Sequence, residues 1–315
     1  DLAHGGGSGR NKYKNRTLLG LRVLVWKQAP RCRTGSMLMK TLAWAALLAC
    51  SPLFAQSPER VVVLDVAAAD TLQAVGEGER IIAAPKAQLP AYLVPQLPAS
   101  VVDTGQPEKP AFSRLRQLKP DAIYAPALSD SSQAALQNLA PTYTLAFASA
   151  QYWRDFNRNA LAVAEPYGKT ALAQQRLNRL QQQMVTLREQ IAQEPRSLVV
   201  LEHRQGHYRW QAQAAYQVLL YDVLRIKRPV NLPKQSLEVT QTQLQQWQPD
   251  VLWVIDLSTA PNQQSVDVSV LEEAARTTPA LAAGRIKMLN PQHWPHTAVG
   301  LQGMQLQLDE VARLW

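Results

Sequence analysis

Short apolar runs, each closed by a turn-forming residue, recur along most of this chain. RVVVLD at 60–65 is continuous and Val-rich, which predicts a strand buried on both faces, as in a parallel sheet. RIIAAP (80–85), SVVDTG (100–105), DAIYAP (121–126) and TYTLAF (142–147) repeat the signal. Between them lie helical patterns at 111–118 and 131–139, and DTLQAVG at 70–76 reads as an Asp70 N-cap, a short helix and a Gly76 stop. Beyond residue 195 the alternation resumes. RSLVVLEH (196–203), DVLWVID (250–256) and RIKMLN (285–290) read as strands. AYQVLLYDVLRI (215–226), VTQTQLQQW (239–247), SVLEEAARTTPAL (269–281) and LQGMQLQLDEVARLW (301–315) read as helices. Strand alternating with helix predicts a parallel or mostly parallel sheet covered on both faces.

One unit occurs twice. LRQLKPDAIYA at 115–125 and LQQWQPDVLWV at 244–254 each join a helix end, a Pro-Asp turn and a buried strand, 129 residues apart from Pro120 to Pro249. Repetition at domain spacing predicts two α/β lobes facing a cleft, where small ligands usually bind. Between them, 169–193 holds no Gly or Pro. Its Leu177, Leu180, Met184, Leu187 and Ile191 recur at intervals of 3, 4, 3 and 4, a narrow apolar stripe. Such a helix is on the order of 37 Å long. Its position predicts a connecting strut, an ordinary surface helix or coiled-coil segment being the alternative; Glu194-Pro195 ends it.

Composition adds location. The chain of 315 residues can bury one large core or two ordinary ones. Its net charge of +9 is concentrated in residues 1–56, which hold nine Lys/Arg and one acid, leaving 24 bases against 23 acids elsewhere. A nucleic-acid partner needs a basic face on the folded part and is excluded on that ground. Residues 37–55 read as a signal peptide: Met37-Leu38-Met39-Lys40 is basic, and TLAWAALLACSPLFA is apolar and too short to span a bilayer. Cleavage after Ala55 is expected. Leu47-Leu48-Ala49-Cys50 resembles a lipobox, so lipoprotein anchoring through Cys50 is the alternative. Residues 1–36 precede the signal and read as an upstream extension, not native structure. Cys32 and Cys50 are the only cysteines, so the cleaved chain is expected to hold no disulfide, thiolate metal site or cysteine nucleophile.

Taken in order, RVVVLDVAAADTLQAVG, APKAQLPAYL (84–93), DTGQPEKPAFSRLRQLKPDAIYA (103–125), YDVLRIK (221–227), LQQWQPDVLWVID and MLNPQHW (288–294) resemble the periplasmic substrate-binding proteins of iron-siderophore ABC importers. The closest resemblance is to the branch that binds ferric catecholate-type siderophores, and it runs through most of 60–315. It implies an α/β fold of two Rossmann-like lobes joined by a single long helix, with a shallow cleft and little hinge motion. The lobes are expected at 59–168 and 196–315. The implied function is capture of a ferric siderophore in the inter-lobe cleft, in the periplasm, by a monomer that is not an enzyme. Iron(III) would enter as part of the ligand, with no covalently bound cofactor, and an inner-membrane ABC permease would be the partner. Another iron chelate, haem or cobalamin is the alternative ligand. An orphan two-lobed metal-binding accessory protein without a permease is the alternative of another class.

In open α/β sheets ligands meet the loops at the carboxyl ends of strands. In the first lobe these are Val66-Ala67-Ala68, Pro85-Lys86 and Pro126-Ala127-Leu128; in the second they are Glu202 to Trp210, Leu257-Ser258 and Gln292 to Thr297. EHRQGHYRWQ (202–211) packs His203, Arg204, His207, Tyr208, Arg209 and Trp210 together. Arg supplies charged hydrogen bonds to a bulky ferric anion, and Tyr or Trp supplies flat contact surface. A β-hairpin whose alternate residues face solvent is the other reading. The expected ligand contacts are Lys86, Arg204, Tyr208, Arg209, Trp210, Tyr216, Trp294 and His296, with the cationic attraction coming mostly from the second lobe.

Departures from the family's pattern are local. Related catecholate binders carry an Arg after the first Pro-Asp strand, where Pro126-Ala127-Leu128 stands here, and another at the position of Tyr216. Some members coordinate iron through a Tyr following the Trp of the DPxxW-like segment; here Trp294 is followed by Pro295 and His296. His293 and His296 are the remaining candidate iron ligands. Family members dock to the permease through an acid seven residues before the repeated Pro-Asp. Those positions are Ser113 and Thr242, which leaves Glu108 and Glu238 as candidate docking acids. No G-x-S-x-G, P-loop, H-E-x-x-H or G-x-G-x-x-G occurs. Convergence of His203, His207, His293 and His296 on zinc is a minor alternative.

Overall fold

The computed structural model describes residues 57–258, 276, 278, 280, 284–295 and 297–315. The expected signal peptide and upstream extension, His296 and most of the helix expected over 269–281 lie outside them. Strand β1 (Val61–Val63) is shorter than the 60–65 run because the chain turns into helix α1 (Val66–Ala74) directly. Asp65 is the reason: its Oδ1 accepts from the Ala67 and Ala68 N–H groups at 2.8 and 3.2 Å. The N-cap is therefore Asp65, and Asp70, expected to cap this helix, lies buried inside it.

The first lobe continues through β2 (Ile81–Ala84), β3 (Val102–Asp103), α2 (Phe112–Leu118), β4 (Ala122–Ala125), α3 (Asp130–Gln137), β5 (Thr142–Thr144) and α4 (Tyr152–Ala164). Its sheet has the order β3-β2-β1-β4-β5, all parallel. Helix α4 was not expected, although Tyr152, Phe156, Ala160 and Val163 form a buried stripe at spacings of 4, 4 and 3. Helix α5 (Thr170–Gln193) follows. Its stripe of Leu177, Leu180, Met184, Leu187 and Ile191 is buried as expected, on a core that includes second-lobe strands.

The second lobe holds β6 (Leu198–Arg204), β7 (His207–Trp210), a short helix α6 (Ala215–Gln217) running into a π-helical turn Val218–Val223, β8 (Leu237–Glu238), α7 (Gln241–Trp247), β9 (Val251–Asp256), β10 (Ile286–Leu289) and α8 (Leu301–Leu314). Its sheet order is β10-β9-β6-β7-β8, with β10, β9 and β6 parallel and β7 and β8 antiparallel.

The repeated sequence unit is also a repeated clamp. Lys119 and Gln248, at φ 47° and 44°, end α2 and α7 in the left-handed conformation. Asp121 Oδ2 then accepts from the Glu59 and Arg60 N–H groups at 3.1 and 3.0 Å. Asp250 Oδ2 accepts from the Ser197 N–H and hydroxyl, both at 2.7 Å. In each lobe the Pro-Asp carboxylate holds the start of that lobe's first strand.

Asp70 joins the lobes. Its carboxylate accepts from the Gln302 N–H (2.6 Å), the Gly303 N–H (2.8 Å) and the Tyr92 hydroxyl (2.6 Å), so it caps α8 from across the lobe boundary. Close approach needs glycine: a Cβ at Gly300 would stand 2.5 Å from the Ala67 carbonyl oxygen and closer still to the Asp70 carboxylate. Burial raises the Asp70 pKa from 3.8 to about 6, against the lowering effect of its three hydrogen bonds and of Arg176. The folded chain therefore binds this proton more readily than the unfolded chain does. Stability from this group falls as pH rises from about 4 to 6 and is level above, with a slope of at most about 1.4 kcal/mol per pH unit. Urea unfolding at pH 5 and pH 7 should show part of that gain at pH 5 in the wild type and less of it in Asp70→Asn. An unchanged difference in the variant would remove Asp70 as its source.

Candidate functional site

The first sheet changes direction between β1 and β4: the chain after β1 leads toward β2, and the chain after β4 leads toward β5. Crevices form at such a switch point because the two loops leave in opposite directions. Here they are Asp65-Val66-Ala67 and Pro126-Ala127, and they floor a cavity of about 290 Å³. Leu145 and Phe147 beyond β5, and Phe156, Asn159, Ala160 and Val163 of α4, form one wall. Thr297, Ala298 and Val299, beyond β10, close it from the second lobe. The cavity thus lies between the carboxyl ends of the two sheets.

Its lining is mainly apolar. Among the described residues, two carboxylates, Asp65 and Glu108, face it together with Thr71, Gln88, Asn159 and Thr297, and no Lys or Arg belongs to the lining. Desolvation raises the Asp65 pKa to about 6, although the Ala68 and Ala67 N–H bonds act to lower it. Glu108 reaches the cavity because the chain after β3 folds back, with the Lys109 N–H on the Gln106 carbonyl and the Ala111 N–H on the Thr104 carbonyl. The acid expected at a docking face is therefore a cavity residue.

On the second lobe, EHRQGHYRWQ is a β-hairpin. Gln205 and Gly206, at φ 53° and 84°, make the two-residue turn whose residues both need positive φ. Register places Arg204 opposite His207 and Arg209 opposite Glu202, with Glu238 of β8 on the other side of Arg209. Arg204, His207, Arg209 and Glu238 are exposed on one face. Glu238, the second expected docking acid, faces His207 Nδ1 at 2.6 Å and keeps much of its side chain in solvent. The opposite face carries His203, Tyr208 and Trp210 into the core.

Four expected aromatic contacts are consequently packing residues. Tyr208 is buried and its ring centroid lies 4.9 Å from that of His203. Trp210, 3% exposed, donates its indole N–H to the Pro233 carbonyl at 3.0 Å. Tyr216, 1% exposed, donates to Glu202 Oε1 at 2.8 Å, and burial, then the Glu202 carboxylate, raises its hydroxyl pKa far above the ordinary tyrosine range. Trp294, 1% exposed, donates to Glu310 Oε2 at 2.8 Å. The aromatic bodies supply core area while internal acceptors satisfy their polar ends. Lys86 is exposed, opens the turn Lys86–Gln88 and donates its backbone N–H to Asp103 Oδ1 at 3.1 Å. Gln88 of that turn lines the cavity; Lys86 does not.

His293 and His203 are committed elsewhere. Asn290 Oδ1 accepts from the Gln292 N–H, which turns its Nδ2 toward His293 Nε2 at 3.2 Å. That nitrogen is an acceptor, so His293 Nδ1 donates to Glu310 Oε2 at 3.0 Å. Burial acts to raise the Glu310 pKa, but bonds from His293, the Asn290 N–H and Trp294 hold it below the usual value. With both ring nitrogens engaged, His293 has no lone pair for iron as placed. His203 is held the same way, between the Gly206 N–H (3.1 Å) and Asp256 (3.0 Å). Among the described residues no group of three or more His, Cys, Asp or Glu could hold a metal ion, so the zinc alternative finds no support there. Ser113 and Thr242 are the second residues of α2 and α7, equivalent places in the two lobes.

Comparison with known proteins agrees with this architecture. The petrobactin-binding protein YclQ of Bacillus subtilis is 24% identical over 260 residues, covering 81% of this chain and 82% of its own. The iron uptake ABC transporter substrate-binding protein PiuA of Streptococcus pneumoniae superposes with a TM-score of 0.73 at 22% identity, covering 82% of this chain and 94% of its own. The periplasmic catecholate-siderophore binding protein VctP of Vibrio cholerae gives 0.71 at 18% identity, with 82% and 94% coverage. The sequence pattern of one family, described as periplasmic binding protein, matches residues 61–293. By that match, and by two parallel-stranded lobes that meet over a cavity, the chain belongs to the periplasmic binding protein family.

Proposed function

We propose that this chain is the periplasmic substrate-binding component of an ABC importer and that it captures a ferric siderophore between its lobes. The cavity at the β1–β4 switch point, closed by 297–299 of the second lobe, carries the reading, because it lies where this architecture meets ligands. YclQ is named a petrobactin-binding protein, PiuA an iron uptake protein and VctP a catecholate-siderophore binding protein, which supports iron chelates as the ligand class. Iron(III) enters as part of the ligand, and the exposed Arg204 and Arg209 offer charged donors to an anionic complex. The chain acts as a monomer and delivers to an inner-membrane ABC permease. Glu238 remains the docking candidate, Ser113 and Thr242 at the α2 and α7 starts carrying no acid, and Glu108 is assigned to the ligand side.

Intrinsic tryptophan fluorescence tests the ligand class. Trp210, Trp253 and Trp294 belong to the second-lobe core. Ferric catecholate should quench emission at micromolar concentration or below. Quenching by haem or cobalamin alone would reassign the ligand, and no response to any of these or to ferric hydroxamate and ferric citrate would remove the proposal.

A further inference from the structure

Resting on the siderophore reading, we propose that the first-lobe cavity receives a protonated amine arm of the ligand, held by the Asp65 and Glu108 carboxylates beside the Phe147 and Phe156 rings. Shape is the first argument: Phe147 and Phe156 stand on the wall of the cavity and Asp65 on its floor, so an organic arm meets apolar surface and a carboxylate together.

Charge is the second argument. Among the described residues the lining has two acids and no base. Arg158, next to Asn159 in sequence, is already bonded to Asp155 at 2.9 Å and to the Ala146 carbonyl at 2.5 Å. Both hydrogen bonds to Asp65 fall on Oδ1, which leaves Oδ2 without a partner among the described residues. Glu108 is exposed and likewise has no hydrogen bond or ion pair among them. With its pKa near 6, Asp65 is ionised at neutral pH.

An anionic arm placed here would be desolvated against like charge, while an ammonium group gains two counter-charges and aromatic faces. The second lobe offers the opposite sign through Arg204 and Arg209. The two sides together suit a ligand with an anionic iron centre and a cationic arm, and they discriminate against one that is anionic throughout.

The test uses the full chain and an Asp65→Asn/Glu108→Gln double variant. Asn keeps the side-chain oxygen that caps α1, so the charge is removed while the cap is kept. Calorimetric titration with phenethylammonium and with phenethyl alcohol reads the pocket without iron. Wild type should prefer the ammonium by about tenfold or more, and the double variant, with unchanged thermal midpoint, should lose that preference. Equal binding of the two probes, or a preference that survives in the variant, would overturn the cation pocket. Two ferric catecholates, matched except for an amine arm, then separate the readings. Tighter binding of the amine-bearing chelate, lost in the variant, supports the proposal. Equal binding of both overturns it and leaves the siderophore reading standing. Binding of neither, with the ammonium preference intact, overturns the siderophore reading alone.

Discussion

Asp70→Ala should lower the unfolding free energy by about 3–5 kcal/mol, a large share of the stability of an ordinary domain. Three donors lose their acceptor at once: the Gln302 and Gly303 N–H groups and the Tyr92 hydroxyl. Each buried donor left without a partner costs about 1–3 kcal/mol. Removing a carboxylate whose burial is itself unfavourable offsets part of that cost. For a domain of this size the melting midpoint should fall by roughly 10 °C. Asp70→Asn should cost less, because its remaining oxygen still accepts from one N–H while its amide can donate to Tyr92. Differential scanning calorimetry decides: equal, small shifts for both variants would show that the α1–α8 junction does not depend on this carboxylate.

Arg204→Ala should weaken binding of an anionic ferric chelate by about ten- to a hundredfold, the equivalent of roughly 1.4–2.8 kcal/mol for a charged hydrogen bond. Arg209→Ala should cost less. In register Arg209 stands between Glu202 and Glu238, about 4.8 Å to either side, so part of its charge is already balanced. In register Arg204 faces the neutral-or-cationic His207 rather than an acid. Both side chains are exposed and the hairpin should fold without them. Affinity unchanged in Arg204→Ala would make the exposed hairpin face surface structure and place the anionic end of the ligand elsewhere.

The two lobes and their strut were legible because they rest on period. The 3-4 stripe of Leu177 to Ile191 can bury only as one long helix, and the two Pro-Asp units need the same turn wherever they occur. Helix α4 had the same kind of stripe but no side-chain cap at Gln151 to announce its start. Asp70 shows a deeper limit. A local pattern can suggest that an acid caps a helix, but not that the helix begins 230 residues later. The aromatic residues of the hairpin went astray for a simpler reason. Residue types rich in binding chemistry were read together, whereas period-two alternation over 207–210 already separates Tyr208 and Trp210 from Arg209; Arg204 joins the Arg209 face only through the register of the two-residue turn. The cavity acids were missed because an anionic ligand directs attention to bases. Asp65 looked like the end of a strand, and Glu108 like a docking residue.

Equilibrium dialysis against radiolabelled iron addresses the siderophore reading most directly. Wild-type chain should retain about one iron per molecule when the metal is offered as a ferric siderophore, and almost none when it is offered as ferric nitrilotriacetate. Retention that is equal from the two sources, or absent from every siderophore offered, would contradict capture of a ferric chelate between the lobes.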